Sequence, residues 1–132
     1  MFLLSDMLSR VQNGLLLRRH SVHVRRSRLI IEVLKVLYKD GFINGYAISE
    51  ENCNLIIVFL KYIDNKPVLQ KFKLLSSPSR RNYISTRKLF QFISKSGIFV
   101  LSTSNYGVIS TISLISDNRK PIGGELLFQI II

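Results

Sequence analysis

Cysteine occurs once, at Cys53, and tryptophan not at all. A lone thiol excludes a disulfide framework within the chain. Acidic residues are scarce: 8 Asp and Glu stand against 19 Lys and Arg, for a formal net charge of +11. No apolar run approaches the roughly 18 residues that a membrane-spanning helix needs. The longest, Leu55–Leu60, is the size of a strand. Alanine is nearly missing, with Ala47 alone against 17 Ile. Codons for Ile, Phe, Asn and Lys are AT-rich and those for Ala GC-rich, so the skew fits a mitochondrial or plastid genome, and a low-GC bacterium as well. A length of 132 residues leaves room for one domain or two small ones, and for no large catalytic architecture.

What is present is a core. Hydrophobic residues make up 47% of the chain and the mean hydropathy is +0.24, too apolar for a disordered basic tail. A basic chain that folds points to a polyanionic partner, either nucleic acid or an anionic membrane surface. The charge is uneven. Residues 1–66 carry ten basic and six acidic side chains, net +4, while residues 67–132 carry nine and two, net +7. The second half is the expected polyanion surface.

The pattern predicts an α+β protein of two small packed domains, 1–66 and 67–132. The first reads as helix, strand, helix and hairpin; the second as mostly β with one short helix. Residues 3–17 suit an amphipathic helix, with Leu3, Met7 or Leu8, Val11 and Leu15 on one side. Val22 and Val24 alternate as in a short strand. Ser27 can cap a helix over Arg28–Asp40, whose apolar residues Leu29, Ile30, Val33, Leu34 and Leu37 recur at helical spacing, with Gly41 and Phe42 closing its end. Strands are expected at Phe42–Ile48, Leu55–Ile63 and Val68–Leu75. The basic loop Ser76–Asn82 and the extended Tyr83–Ser85 follow. Thr86 is the expected cap of a helix over Arg87–Ser96. Further strands are expected at Ile98–Leu101, Val108–Ile112 and Glu125–Ile131, with a loop at Ser116–Lys120 and a turn at Pro121–Gly124.

Several groups invite chemistry. His20 and His23 sit among arginines, which repel a metal cation, and no third ligand lies near in sequence. Cys53 has no histidine partner at a recognisable spacing. No acid–base pair or nucleophile constellation supports an enzyme, and no cofactor is expected. The basic half holds more. Ser102, Thr103 and Ser104 follow an apolar strand; they are either a capped turn or compact donors and acceptors suited to the wide minor groove of an RNA helix. Gly123–Gly124 is either a tight turn or a place of close backbone approach. Glu125 either binds backbone N–H groups or accepts hydrogen bonds from base amino groups or a ribose hydroxyl. Arg80, Arg81 and Tyr83 set two cations and an aromatic within four residues, fit for phosphates and an exposed base.

Five segments in order resemble the universal small-subunit ribosomal protein eight family, in its bacterial and organellar form. They are Ser5-Asp6-Met7-Leu8-Ser9-Arg10-Val11-Gln12-Asn13; Ser27-Arg28-Leu29 on to Asp40-Gly41-Phe42-Ile43; Ser76, Pro78, Arg80, Arg81 and Tyr83; Ser102-Thr103-Ser104 with Gly107-Val108-Ile109; and Ile122-Gly123-Gly124-Glu125-Leu126-Leu127. The resemblance implies a structural constituent of the small subunit, a primary binder of a stem in the central domain of its ribosomal RNA, with neighbouring ribosomal proteins, protein five among them, as partners. It implies RNA contact at Ser102, Thr103, Ser104, Gly123, Gly124 and Glu125, and adds Arg10, Asn13 and Arg28 to Arg80, Arg81 and Tyr83. Departures from the family pattern lie at Ser104–Tyr106, one residue longer than usual, at Ser110–Pro121, and at Ser79. Drift of that kind is typical of organellar versions. The sequence shows no address, as a protein made inside an organelle, here the mitochondrion, would need none. The alternative from another class is a basic peripheral membrane or adaptor protein using the 1–17 helix as an interfacial anchor, although that helix carries little basic charge.

Overall fold

The computed structural model describes residues 2–69, 71–76, 80–85, 87–88, 98–104, 106–116 and 123–131. The chain divides into two compact units, Phe2–Lys71 and Phe72–Ile131. Each mixes helices with antiparallel strands, the α+β class the pattern predicts.

In the first unit, α1 (Phe2–Leu16) buries Leu4, Met7, Leu8, Val11 and Leu15, which recur every three or four residues and so share one face. β1 (Ser21–Arg25) follows, with Val22 and Val24 turned inward. α2 (Arg28–Lys39) starts where Ser27 Oγ accepts the Ile30 N–H at 3.2 Å, satisfying one donor that the helix itself cannot. Ser27→Ala should therefore cost about 1 kcal/mol, read as a lowered urea midpoint with an unchanged slope. The helix ends with the Phe42 N–H donating to Leu37 O at 2.9 Å and the Gly41 N–H to Tyr38 O at 3.1 Å. Gly41 takes the left-handed conformation, φ +83°, that this closure demands.

β2 (Ile43–Ile48) and β3 (Leu55–Leu60) complete a sheet of order β1-β3-β2. Its inner residues Val22, Val24, Ile56 and Val58 are buried, with Val24 opposite Ile56 and Val22 opposite Val58. The register slips between Ile43 and Gly45, where the Asn44 amide donates to Leu60 O at 3.1 Å. The expected strand Leu55–Ile63 is in fact two pieces. After Lys61 the chain enters a hairpin of β4 (Tyr62–Ile63) and β5 (Lys66–Pro67). Asp64 and Asn65, both at positive φ, form its two-residue turn. The Tyr62 hydroxyl donates to Arg19 O at 2.7 Å, and the Arg18 guanidinium donates to Asn65 O. Partial burial pushes the Tyr62 hydroxyl above its ordinary pKa, against the opposing pull of the Arg18 cation.

The second unit is built on β10 (Gly124–Ile131). β8 (Ile98–Thr103) pairs along one edge and is itself paired to β9 (Gly107–Ser110). β6 (Lys71–Leu74), which straddles the division of the units, and β7 (Tyr83–Ile84) also pair with β10. Ile84, Phe99, Leu101, Ile109, Leu114 and Leu126 form one apolar cluster, and Phe72 meets Phe128 edge to face at 5.4 Å. Three expectations are corrected here. The strand expected at Val68–Leu75 is confined to Lys71–Leu74 among the described residues. The strand at Ile98 runs on to Thr103, so Ser102 and Thr103 belong to the sheet rather than to a loop after it. The strand expected over Val108–Ile112 stops at Ser110, and Thr111–Ser116 is a short helix, α3. Thr111 Oγ1 accepts the Phe99 N–H at 3.3 Å, and Leu114 enters the apolar cluster: Thr111 and Ile112, the end of the expected strand, fold as helix because tertiary packing overrides their β-branched propensity. Of the helix expected at 87–96, Arg87 and Lys88 are described and helical. Ser85 Oγ accepts the Lys88 N–H at 3.4 Å; Thr86 and residues 89–96 lie outside the described residues, as do most of the loop expected at 116–120 and Pro121 and Ile122 of the turn expected beyond it.

Candidate nucleic-acid interface

Antiparallel pairing sets three of the expected contact residues of the second unit, Tyr83, Glu125 and Ser102, in one row. Glu125 lies opposite Ser102 on β8 and opposite Tyr83 on β7. Ser102 in turn lies opposite Val108. Directly paired residues share a sheet face, so Tyr83, Glu125, Ser102 and Val108 stand side by side. Leu126, Leu101 and Ile109, the next residues along these strands, turn to the other face and join the apolar cluster. Tyr83 is 68% exposed, a bare aromatic at the end of the row.

The close approach suggested by Gly123–Gly124 is made by Gly124, and against the chain's own backbone. A Cβ on Gly124 would stand 2.3 Å from Ser102 O and 3.1 Å from Ser102 C. Its conformation is strand, so the site selects glycine for space. Gly123 precedes the strand and is partly buried.

The three hydroxyls divide their work. Thr103 Oγ1 accepts the Tyr106 N–H at 3.1 Å and donates to Gly107 O at 2.9 Å. Thr103 thus closes the β8–β9 turn and is buried. Ser104 sits exposed in that turn, and Ser102 is half-buried in the row. Gly107 adopts φ +69° as the chain leaves the turn.

Glu125 is the unusual member. Its side chain is 13% exposed, and Arg81, at 53%, reaches its Oε2 at 3.5 Å. Among the described residues, Oε1 is buried without a hydrogen-bond partner. Such an orphan acceptor costs about 1–3 kcal/mol, so the position carries a burden that folding alone does not explain. Arg80 and Arg81 are exposed on the loop that leads into β7.

Ser76, part of the basic-loop motif, has no role legible from the sequence. Its side chain is fully buried. Its hydroxyl donates to Leu126 O and accepts the Asn82 N–H at 2.9 Å, while the Leu126 N–H donates to Asn82 O at 2.8 Å. A serine opening a proline-bearing basic loop was the available signal.

Arg10, Asn13 and Arg28 lie in the other unit. Arg10 Nε donates to Asp6 Oδ2 at 3.0 Å, and another guanidinium nitrogen donates to His23 O at 3.4 Å. Arg10 and Asn13 line a groove of 340 Å³ with Arg19 and His23. Arg28 is exposed at the first position of α2. Cys53 is exposed in the β2–β3 turn. Among the described residues no group of three metal-ligating side chains comes together. The apolar face of α1 that a membrane anchor would need is spent on the core, and among the described residues no helix is long and apolar enough to cross a membrane.

The class follows from the family match: a structural, non-enzymatic component of the ribosome. The family described as Ribosomal protein S8 matches residues 3–131, and the chain belongs to it. It is 42% identical to small ribosomal subunit protein uS8m of Acanthamoeba castellanii over 98% of this chain and 99% of that one. It is 36% identical to uS8 of Neorickettsia sennetsu, covering 97% and 96% of the two chains. It is 35% identical to uS8c of Euglena gracilis, covering 96% and 95%.

Proposed function

We propose that this small-subunit protein is a primary binder of a stem in the central domain of small-subunit ribosomal RNA, acting in subunit assembly, and that residues 67–132 form its main RNA-binding domain beside an N-terminal domain of residues 1–66. The observation that carries the reading is the row Tyr83–Glu125–Ser102 beside exposed Arg80, Arg81 and Ser104. Cations neutralise phosphates and release counterions. The Ser102 and Ser104 hydroxyls and the Glu125 carboxylate meet 2′-hydroxyls and base edges in the wide minor groove, while Tyr83 offers a stacking face. Gly124 lets β10 approach Ser102 closely, with Gly123 leading into it, and Thr103 holds the turn that presents Ser104. Arg10, Asn13 and Arg28 add a second contact from the N-terminal domain.

Work in the mitochondrion, beside ribosomal protein five and other neighbours, is part of the same proposal. It is supported by the relative named uS8m and by the AT-biased composition; uS8c and bacterial uS8 relatives make the plastid and the bacterial cytoplasm the alternatives. Sedimentation of tagged protein in organelle lysate tests the compartment, with co-migration with small subunits in moderate salt as the expected result. Binding is tested by titrating the central-domain stem and an unrelated stem of equal length across a salt series. The ribosomal stem should bind tighter at every salt, and Arg80→Ala with Arg81→Ala should flatten the salt slope by about one unit per lost phosphate contact. Equal binding of both stems would overturn specific readout.

A further inference from the structure

We infer that Ser76 is a positioning residue for the selectivity of this face, acting through Asn82 and Leu126 on the Arg81–Glu125 pair; the inference rests on the RNA-binding reading above. Arg81 directly precedes Asn82, and Glu125 directly precedes Leu126. Whatever ties Asn82 to Leu126 therefore sets Arg81 beside Glu125. Two ties exist: the Leu126 N–H donates to Asn82 O at 2.8 Å, and the Ser76 hydroxyl bridges the remaining pair of groups, accepting from Asn82 N–H at 2.9 Å and donating to Leu126 O. The three residues close the neck of the loop that carries Arg80 and Arg81.

The effect of losing this hydroxyl is local. Ser76 is fully buried, so an alanine methyl replaces it without exposing the core. The Asn82 residue is exposed, so water takes over its freed N–H, while the buried Leu126 O loses its side-chain donor, which lowers stability without changing charge. The β8–β10 pairing does not involve Ser76 and holds Glu125 opposite Ser102 regardless. What is released is the near end of the loop, and with it the placement of Arg81 at 3.5 Å from the carboxylate. Glu125 then keeps its strand position and loses its orienting cation. Charge count is unchanged, so attraction to any polyanion is unchanged. Only discrimination suffers.

The test uses the full-length chain, wild type and Ser76→Ala, with the central-domain stem and the unrelated stem across the salt series, alongside amide exchange at Asn82. Ser76→Ala should speed exchange of the Asn82 amide, leave the salt slope and the unrelated stem unchanged, and weaken the ribosomal stem roughly tenfold, within the range of one lost base-edge contact. Ser76→Thr, which keeps the hydroxyl, should restore both the protection and the preference. Arg81→Ala should lose the same preference, and adding Ser76→Ala to it should cost little more, since both act on one carboxylate. That non-additivity also tests the idea if Ser76→Thr does not fold. Equal weakening of both stems by Ser76→Ala, or an unchanged preference, would overturn the proposal. A wild-type chain that fails to prefer the ribosomal stem would instead sink the RNA-binding reading, and the Asn82 exchange would still decide whether Ser76 holds the loop.

Discussion

Gly124→Ala is expected to destabilise the second unit by about 1–3 kcal/mol or more, the range for overpacking a filled site, and to remove the preference for the ribosomal stem. The added Cβ would lie 2.3 Å from Ser102 O, 3.1 Å from Ser102 C and 3.2 Å from Thr103 Cγ2. Two of these neighbours are backbone, so no rotamer change relieves the clash. β8 and β10 must move apart, and Ser102 and Glu125 with them. Gly107→Ala is the control. Its Cβ would meet nothing within 4 Å, but its φ of +69° is unfavourable for a side chain, so it should cost only about 1 kcal/mol and leave Glu125 opposite Ser102. Urea denaturation and the two-stem titration separate the cases. A Gly124→Ala chain as stable and selective as wild type would rule out close packing as the reason for this glycine.

Local signals carried much of the fold. Ser27, Gly41 and Phe42 mark the two ends of α2 because caps are short-range chemistry, and they bond as the sequence suggests. Val22 and Val24 mark β1 for a similar reason: alternation against a core is visible within five residues. Long-range choices were not legible. Leu55–Ile63 reads as one apolar strand, yet Lys61 divides it, because Asp64 and Asn65 turn the chain into a separate hairpin pinned by Arg18 and Tyr62. Thr111 and Ile112 read as the end of a strand and open a helix, because Leu114 is buried by packing against β8 and β9. In the candidate site, residue types were legible and their arrangement was not. Nothing local tells that Glu125 will face Ser102 and Tyr83 at once, or that Thr103 will spend its hydroxyl on the turn. No role for Ser76 is legible locally, because its partners lie six and fifty residues away.

Glu125→Met should move stability and selectivity in opposite directions. Among the described residues Oε1 is buried with no partner, and the side chain is only 13% exposed. The Arg81 guanidinium is 53% exposed at 3.5 Å, and a solvent-screened pair of that kind contributes little. Methionine fills a similar volume and carries no charge to desolvate. Replacing an unsatisfied group by an apolar one of like shape is neutral or stabilising, so the denaturation midpoint should hold or rise. Selectivity should fall by about 1–3 kcal/mol, by analogy with the loss of one base-edge contact, or roughly thirtyfold near the middle of that range. Glu125→Gln divides the effect further: it retains an acceptor and loses the charge, so it should keep part of the preference. An arrangement that lowers stability is expected where function needs it. If Glu125→Met lowers the midpoint and leaves the stem preference intact, the carboxylate is structural, the orphaned oxygen has a role inside the fold, and the reader of the stem must be sought in Ser102 and Ser104 alone.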